Sequence, residues 1–398
     1  MDITITPKML QGSIRAIPSK SQMHRILICA AFADRPTEIQ CSMASMDMIA
    51  TMNCLRALGA MIQPNSTGWT ICPVTKAPES AFLPCGESGS TLRFMLPVVG
   101  ALGVDTTFQL EGRLPHRPLS PLWEEMERMG CRLSRPTPNS IRCSGRLRSG
   151  NYTIDGSVSS QFITGLLLAM ALMDGNSKLT VTGKLESEPY IDITRQVLSD
   201  YGVKCDNNIV TGAVRLHSPG YICVEGDWSN AAFFLAAGKF GCPISVTGLN
   251  YDSCQGDKAI IHALNALKTN CVIDAANIPD LVPILAIVAG ACQGATFTNI
   301  SRLRLKESDR VASVVAMLEA LGGHVTSSDN TLSVFPSAYH GCEVHSHSDH
   351  RIAMAAAIAA IVASGPVSII GAECVSKSYP TFWEDYCKLG GHYEQYIR

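Results

Sequence analysis

The chain is 398 residues long, and single hydrophobic cores seldom grow that large, so two domains of about 200 residues each are expected. Hydrophobic residues make up 46 %, as in globular proteins, and the formal net charge of −2 argues against nucleic acid as a partner. Any anion site must therefore come from local clusters of cations.

The 16 cysteines occur singly and without CxxC spacing, which is typical of buried thiols in a reducing compartment rather than of disulfides or a zinc site. The N-terminal segment has no charged stretch followed by an apolar core, so no signal peptide is expected. The most apolar run, residues 352–362, is too short for a bilayer, which needs about 20 residues. A cytoplasmic protein without membrane contact is predicted.

A polar cluster that opens an apolar, buried helix recurs six times. The clusters are residues 18–21, 87–90, 157–160, 227–230, 277–280 and 348–351. Ser88, Val158 and Trp228 follow one another at intervals of 70 residues, whereas Trp228 and Pro279 are 51 apart, which indicates one shortened copy. Plain alternation of strands and helices would not place Ser, Asp, Lys and Arg at the same point each time, so we interpret the pattern as a true repeat.

Each buried helix is followed by a short alternating strand that usually ends in Gly, as in residues 108–112 and 179–183. A second, amphipathic helix comes next, and two further strands usually complete the unit. Several of the second helices have a candidate C-cap glycine, at Gly59, Gly130, Gly202, Gly322 and Gly390. The sequence therefore predicts an α/β fold of six βαβαββ repeats, three per domain.

Related repeats around a common core would aim the N-termini of their buried helices at one cleft between the domains. Free N–H groups and the positive end of the helix dipole suit phosphate and carboxylate. The cations concentrate in residues 17–25, 112–118, 304–310, 348–351 and 375–377. Their number suggests a ligand set that carries two or three negative charges.

Three of the charged residues have a plain structural alternative. Asp280 follows Pro279 at a predicted helix start, where it could be a simple cap. Glu307 lies between Lys306 and Arg310 and could form a solvated helical ion pair. Lys20 opposes the dipole at a helix start, a cost that an anion would compensate.

Ten motifs spread along the whole chain resemble the 5-enolpyruvylshikimate-3-phosphate synthase family. They read PSKSxxxR, GESGSTLRF, LPHRPLxPL, SSQFxTxLL, ESEPYIDIT, GDWSNAAFFLAA, IPDLVPxLA, LRLKESDR, SDHRIAMA and VSKSYPTFW. The resemblance implies a two-domain inside-out α/β barrel of the enolpyruvyl transferase type. It places residues 1–17 and 226–398 in one discontinuous domain and residues 18–225 in the other, with the active site in the cleft between them.

The reaction implied is transfer of the enolpyruvyl group of phosphoenolpyruvate to the 5-hydroxyl of shikimate 3-phosphate, with release of phosphate. It proceeds by addition and elimination through a tetrahedral intermediate, in the shikimate pathway to chorismate and the aromatic amino acids. The resemblance assigns proton transfer to Asp280 and Glu307, with Lys20 as a further catalytic residue. It implies no metal and no cofactor, and a monomer.

The resemblance also assigns substrate contacts. Those to shikimate 3-phosphate fall on Lys20, Ser21, Arg25, Ser159, Ser160, Gln161, Ser187, Tyr190, Asp280 and Lys306. Those to phosphoenolpyruvate fall on Lys20, Gly89, Arg117, Gln161, Arg310, Arg351 and Lys377. Because Gly89 is retained, glyphosate is expected to compete for the phosphoenolpyruvate site.

Two departures from the family pattern stand out. Glu87 occupies a position where many members carry Asn, and it is expected to point away from the anion site or to pair, for example with Arg93. Arg302 replaces an Asn that touches the shikimate phosphate in some members.

Two alternative functions remain open at this point. One is transfer to UDP-N-acetylglucosamine by the sister enzyme, which typically carries a Lys-Asn pair near the start and a loop Cys; this chain has Lys20-Ser21 and no Cys in residues 112–118. The other is an inactive homologue that kept only the anion-binding cleft. The full set of charged motif residues argues against it.

Overall fold

A computed structural model describes residues 1–206, 208–210 and 215–396. The chain divides into two compact units: unit 1 comprises Met1–Ile17 and Gly226–Arg398, and unit 2 comprises Pro18–Glu225. The chain thus enters unit 2 after Ile17 and returns to unit 1 at Gly226.

The described residues contain helices and strands in regular alternation. The helices are α1 (Lys20–Ala31), α2 (Met46–Ala57), α3 (Gly89–Leu102), α4 (Leu122–Arg128), α5 (Ser160–Met170), α6 (Glu188–Asp200), α7 (Trp228–Ala237), α8 (Ile260–Ala266), α9 (Val282–Ala291), α10 (Arg310–Ala320), α11 (His350–Ala359) and α12 (Phe382–Lys388). The strands are β1 (Asp2–Ile5), β2 (Gly12–Arg15), β3 (Thr37–Gln40), β4 (Met61–Pro64), β5 (Gly68–Cys72), β6 (Ser80–Gly86), β7 (Asp105–Leu110), β8 (Cys131–Ser134), β9 (Ser140–Gly145), β10 (Asn151–Asp155), β11 (Ser177–Thr182), β12 (Cys205–Asp206), β13 (Ile209–Val210), β14 (Tyr221–Cys223), β15 (Ile244–Thr247), β16 (Cys271–Asp274), β17 (Ala295–Thr298), β18 (His324–Ser327), β19 (Thr331–Phe335), β20 (Cys342–His345), β21 (Val367–Ile370) and β22 (Tyr393–Tyr396).

Unit 2 contains three four-stranded sheets with the orders β14-β3-β5-β4, β6-β7-β9-β8 and β10-β11-β13-β12. In each sheet the first pair is parallel and the other pairs are antiparallel. A parallel pair needs a crossover, which α3 supplies for β6 and β7 and α5 supplies for β10 and β11. This is the predicted βαβαββ repeat.

Unit 1 contains the sheets β16-β17-β19-β18, β20-β21-β1-β22 and the two-stranded sheet β15-β2. The two-stranded sheet belongs to the shortened copy, since β15 is followed by α8 without two further strands. The strands that precede α1 and α7 have exchanged partners. Strand β2 precedes α1 but pairs with β15, which follows α7. Strand β14 precedes α7 but pairs with β3, which follows α1. The exchange follows from the chain leaving unit 1 between β2 and α1.

Six helices form the buried core, namely α1, α3 and α5 in unit 2 and α7, α9 and α11 in unit 1. Nearly every residue of α9 and α11 is buried, in agreement with their all-round apolar sequences. Several strands, by contrast, have alternating buried and more accessible residues, as in β7 and β10. The helices are thus inside each unit, as the repeat predicts.

The polar clusters cap the buried helices. Side chains of Ser19, Ser88, Ser159, Asp227 and Asp349 accept N–H bonds at the starts of α1, α3, α5, α7 and α11. Helix α9 differs, because it begins at Val282 with Leu281 as an N-cap that makes no side-chain bond. Asp280 therefore lies before the helix rather than at its first residue.

The predicted glycine stops are confirmed. Gly59, Gly130, Gly202, Gly322 and Gly390 all have φ between +79° and +119°, a region that favours glycine.

The 16 cysteines are all free thiols. Burial raises the pKa of the Cys29 thiol, as expected for a structural cysteine.

Candidate active site

Asp280 lies among three cations in unit 1. Its Oδ1 accepts from Arg310 Nη1 at 2.8 Å and from Lys306 Nζ at 3.4 Å, and its Oδ2 accepts from Arg351 Nη2 at 2.9 Å. The cap interpretation of Asp280 does not fit these contacts, because the carboxylate is engaged by side chains from the starts of α10 and α11 and from the segment before α10.

Arg310 connects this carboxylate to two others. Its Nε donates to Asp349 Oδ2 at 2.9 Å, and its Nη2 donates to Glu307 Oε2 at 2.7 Å. The Arg310 side chain is 1 % exposed and that of Glu307 is 16 % exposed, so the pair is not the solvated surface pair considered from the sequence. We call Asp280, Lys306, Glu307, Arg310, Asp349 and Arg351 the unit 1 cluster.

The cluster perturbs the ionisation of its members. Burial acts to raise the pKa of Asp280, but the attraction of Arg351, Lys306 and Arg310 outweighs it and holds this pKa well below its ordinary value. Burial lowers the pKa of Lys306, only partly offset by the neighbouring Asp280. Burial also acts to lower the pKa of Arg310, but Asp349, Glu307 and Asp280 outweigh it and raise that pKa. Such perturbation in one cluster is typical of a functional site.

Asp349 is a buried carboxylate that bonds to several other residues of the cluster and its surroundings. It is fully buried, caps α11 through the N–H of Arg351 at 3.0 Å, and accepts from the Ser308 hydroxyl at 3.1 Å. The carboxylate of Asp349 thus binds the guanidinium of Arg310 and the backbone N–H of Arg351. Asp349 was not among the sequence-predicted site residues, although it lies in the SDHR motif.

Lys377 also lies in unit 1. It ends the 3₁₀ helix Ala372–Lys377 and is 9 % exposed. Arg302 lies in the 3₁₀ helix Ser301–Leu305, close enough to Lys306 for its charge to lower the pKa of that lysine. Arg302 is therefore a further cation beside the cluster.

In unit 2, Lys20 is the first residue of α1, and its Nζ donates to Asp47 Oδ2 at 2.8 Å. Asp47 is in the first turn of α2, where the dipole favours a carboxylate. The anion that compensates Lys20 in this structure is thus a protein side chain. Asp47 is a second residue that the sequence reasoning missed, because nothing local links it to Lys20.

Gly89 is the first residue of α3 and lies next to the guanidinium groups of Arg93 and Arg117. A Cβ at Gly89 would lie 2.6 Å from Arg117 Nη1 and 3.0 Å from Arg93 Nη1, so a larger residue would force these guanidiniums to shift. Arg93 Nη1 donates to Gln161 Oε1 at 2.8 Å, and Gln161 Nε2 donates to Ser90 Oγ at 2.9 Å. The side chains of Ser90, Arg93, Arg117 and Gln161 thus lie together at the N-termini of α3 and α5.

Arg25 is embedded in unit 2 rather than presented at a surface. It is 2 % exposed, its Nε donates to Thr194 Oγ1 at 2.7 Å, and its Nη2 donates to the Tyr190 carbonyl at 2.8 Å and to Thr164 Oγ1 at 3.2 Å. A further bond joins Nη1 to the Ser21 carbonyl. These contacts tie α1 to α5 and α6, and they place Ser21 and Tyr190 around one guanidinium.

The predicted serines lie at helix starts. Ser159 caps α5 through the Gln161 N–H at 3.3 Å, and Ser160 is the first residue of that helix. Ser187 precedes α6 without a side-chain cap bond, is buried, and has φ +56°. A non-glycine residue in this strained region is often held there for function.

Glu87 is exposed, and its carboxylate lies against Gly112, where a Cβ would overlap it.

Within the described part of the chain, no three or more His, Cys, Asp or Glu side chains are grouped as a metal ion would require. Nor does any described helix have the length and apolarity to cross a membrane.

Comparison with solved structures identifies the class of fold. EPSP synthase from Acinetobacter baumannii superposes with a TM-score of 0.80 at 23 % identity and covers 99 % of this chain and 100 % of its own. The enolpyruvyl transferase NikO from Streptomyces tendae superposes with a TM-score of 0.79 at 19 % identity, covering 99 % and 98 %. The chain therefore has the enolpyruvyl transferase fold.

Sequence comparison identifies the family within that class. The family model described as EPSP synthase (3-phosphoshikimate 1-carboxyvinyltransferase) matches residues 5–386. A 3-phosphoshikimate 1-carboxyvinyltransferase of Clostridium kluyveri is 37 % identical over 99 % of this chain and 98 % of its own, and one of Clostridium botulinum is 35 % identical over 98 % of both. The chain belongs to the EPSP synthase family.

Proposed function

We propose that this chain transfers the carboxyvinyl group of phosphoenolpyruvate to the 5-hydroxyl of shikimate 3-phosphate and releases inorganic phosphate. Membership of the EPSP synthase family over nearly the whole chain supports the reaction. The structural observation that carries it is the placement of Asp280 among Lys306, Arg310 and Arg351, with Glu307 on the same arginine. Carboxylates suited to proton transfer therefore lie beside cations suited to binding anions.

Phosphoenolpyruvate carries a carboxylate and a phosphate, and guanidinium groups match the geometry of both. The cations and polar groups proposed to bind it are Arg310, Arg351 and Lys377 of unit 1 and Lys20, Gly89, Arg117 and Gln161 of unit 2. The close approach of Arg117 to Gly89 supports their shared role. Because Gly89 has no side chain between its backbone and the Arg117 guanidinium, one ligand can contact both groups.

Shikimate 3-phosphate is proposed to contact the serines and neighbouring groups at the helix starts of unit 2. These residues are Lys20, Ser21, Arg25, Ser159, Ser160, Gln161, Ser187 and Tyr190, with Asp280 and Lys306 of unit 1 near the reacting hydroxyl. The N–H groups at the start of α5 and the strained Ser187 support a phosphate site there. Arg25 donates to protein groups of α1, α5 and α6, and these bonds suit a role in positioning Ser21 and Tyr190.

In the addition step, the oxygen of the 5-hydroxyl attacks C2 of phosphoenolpyruvate, and Asp280 accepts the hydroxyl proton. The electrons of the C2–C3 double bond take a proton at C3 from Glu307, which gives a methyl group and a tetrahedral centre at C2. Lys20 and the arginines stabilise the negative charge that gathers on the phosphate and carboxylate oxygens.

In the elimination step, the bond from C2 to the phosphate oxygen breaks, and phosphate leaves with the proton that Asp280 accepted. A methyl proton returns to Glu307, and its bonding electrons restore the double bond as the enol ether of the product. The two steps balance without an oxidant or reductant.

The test is release of inorganic phosphate from phosphoenolpyruvate, with shikimate 3-phosphate and, in a parallel reaction, UDP-N-acetylglucosamine as the acceptor. We expect phosphate release with shikimate 3-phosphate alone. Release with UDP-N-acetylglucosamine instead would support the sister activity, and release with neither would support an inactive anion-binding homologue. The monomeric state, the cytoplasmic location and the placement of the site between the domains stay predictions.

A further inference from the structure

Asp280 holds the two buried arginines of unit 1 in the way a bound carboxylate would. One oxygen accepts from Arg310 at 2.8 Å and the other accepts from Arg351 at 2.9 Å. The two guanidiniums come from the starts of α10 and α11, and one planar carboxylate bridges them. This is the geometry in which arginines bind a ligand carboxylate.

The arginines have little freedom to find another orientation. Their side chains are 1 % and 4 % exposed. Arg310 also donates through Nε to Asp349, which is fully buried and caps α11, and through Nη2 to Glu307. A ligand that takes over the hydrogen bond from Arg310 Nη1 to Asp280 Oδ1 must therefore displace that carboxylate oxygen.

The charges of the unit 1 cluster already balance. Three cations, Lys306, Arg310 and Arg351, face three carboxylates, Asp280, Glu307 and Asp349. Among these six paired groups an anion meets no excess of positive charge until one carboxylate withdraws, and Arg302, beside Lys306, lies outside this set. Asp280 is the group placed to withdraw, because it bridges both arginines, lies before α9 rather than inside it, and is 18 % exposed.

We propose that Asp280 is an internal competitor of the phosphoenolpyruvate carboxylate: it occupies the anion position of Arg310 and Arg351 until the substrate displaces it, and the displaced carboxylate then accepts the proton of the 5-hydroxyl. This inference rests on the proposed function and deepens it. Binding of one substrate thereby prepares the base that acts on the other.

The electrostatics agree with this order of events. While Asp280 holds the arginines, their attraction and that of Lys306 keep its pKa well below the ordinary value, so it is a weak base. Loss of the two arginine contacts leaves Lys306 as the facing cation and Glu307 as the facing carboxylate, and both burial and Glu307 act to raise the Asp280 pKa. The base therefore becomes stronger when phosphoenolpyruvate is in place.

The test is calorimetric titration of phosphoenolpyruvate into the wild-type protein and into the Asp280→Asn and Asp280→Ala variants. Removal of a competing charged hydrogen-bond partner should lower the phosphoenolpyruvate Kd roughly tenfold in both variants. Loss of one negative charge from the cluster is measured separately by Glu307→Gln, which frees neither Arg310 Nη1 nor Arg351 and should change the Kd by less than about threefold. A residue that acts only as the base would give the same small change in the Asp280 variants. The matched control is Asp105→Asn in unit 2, which alters another arginine-paired carboxylate, bonded to Arg142 at 2.6 Å, and should leave the Kd unchanged.

Turnover of the wild-type protein with both substrates is measured in parallel. Normal wild-type turnover together with an unchanged or higher Kd in both Asp280 variants would overturn the inference and leave the proposed function standing. No wild-type turnover would instead remove the proposed function itself. A lower Kd in the variants, with turnover lost, is the result that the inference predicts.

Discussion

Arg310 donates to three carboxylates that come from three different segments of unit 1. Its bonds to Asp349 and Glu307 fix the plane of the guanidinium, and under the proposed function that plane determines where the substrate anion binds. The value of this residue therefore lies in orientation as much as in charge, since a lysine could not hold three partners in one plane.

The motifs identify which charged residues matter, but they do not give their pairings. Asp280 and Arg351 are 2.9 Å apart in space and lie in separate repeats of the chain, so no local pattern predicts their contact. The same holds for Lys20 and Asp47, which come from α1 and α2. The roles assigned to the individual side chains by resemblance stay predictions, and the following experiment tests one of them.

Glu307→Gln should lower turnover by about 10²-fold or more, because general acid–base groups contribute at that level. The glutamine can still accept a bond from Arg310, so binding of both substrates should change by less than about threefold. Steady-state kinetics with each substrate varied separately would measure the two effects. Glu319→Gln is the control, since Glu319 is exposed on α10, the helix that begins with Arg310.

Wild-type turnover in Glu307→Gln would remove this residue from the proton transfer at C3. A fall in turnover that is matched by an equal rise in KM would assign it to binding instead.

At the scale of helices and strands, the sequence predicts most of the structure, because each repeat carries its own signals. Apolar runs give the buried helices, and glycines with positive φ mark the ends of the second helices. The start of α9 and the left-handed backbone of Ser187 could not be predicted, because α9 begins without a side-chain cap bond and the φ of Ser187 runs against the preference of serine.

Helices α3 and α5 of unit 2 approach closely at Gly165. A Cβ there would overlap the carbonyl oxygen of Arg93 and lie 3.1 Å from Pro97 Cγ. Gly165→Ala should therefore destabilise the protein by about 2 kcal/mol or more, because rigid backbone must move. Urea unfolding followed by circular dichroism would measure the change.

Gly238→Ala is the matched control for this substitution. Gly238 follows α7 with φ −58° and has open space around its Cα, so alanine should shift the unfolding free energy by less than about 0.5 kcal/mol. Equal stability of the two variants would show that the α3–α5 approach does not depend on the glycine.

For the whole molecule, composition and a net charge of −2 limit the class of partner but do not reveal the function. The function follows from six related repeats whose helix starts carry the charged motifs, and from family membership over residues 5–386. The charges are concentrated and locally balanced: the unit 1 cluster pairs three cations with three carboxylates although the protein is nearly neutral. A nearly neutral chain can in this way hold an anion site.

Incubation of the wild-type protein with phosphoenolpyruvate and shikimate 3-phosphate in D₂O tests the central claim most directly. Addition places a solvent-derived deuteron on C3, and elimination then removes one of the three methyl hydrons. We expect a product that has gained the carboxyvinyl group and carries deuterium at its vinyl CH₂, detected by mass spectrometry and proton NMR. A carboxyvinyl product without deuterium, or no such product, would contradict the account.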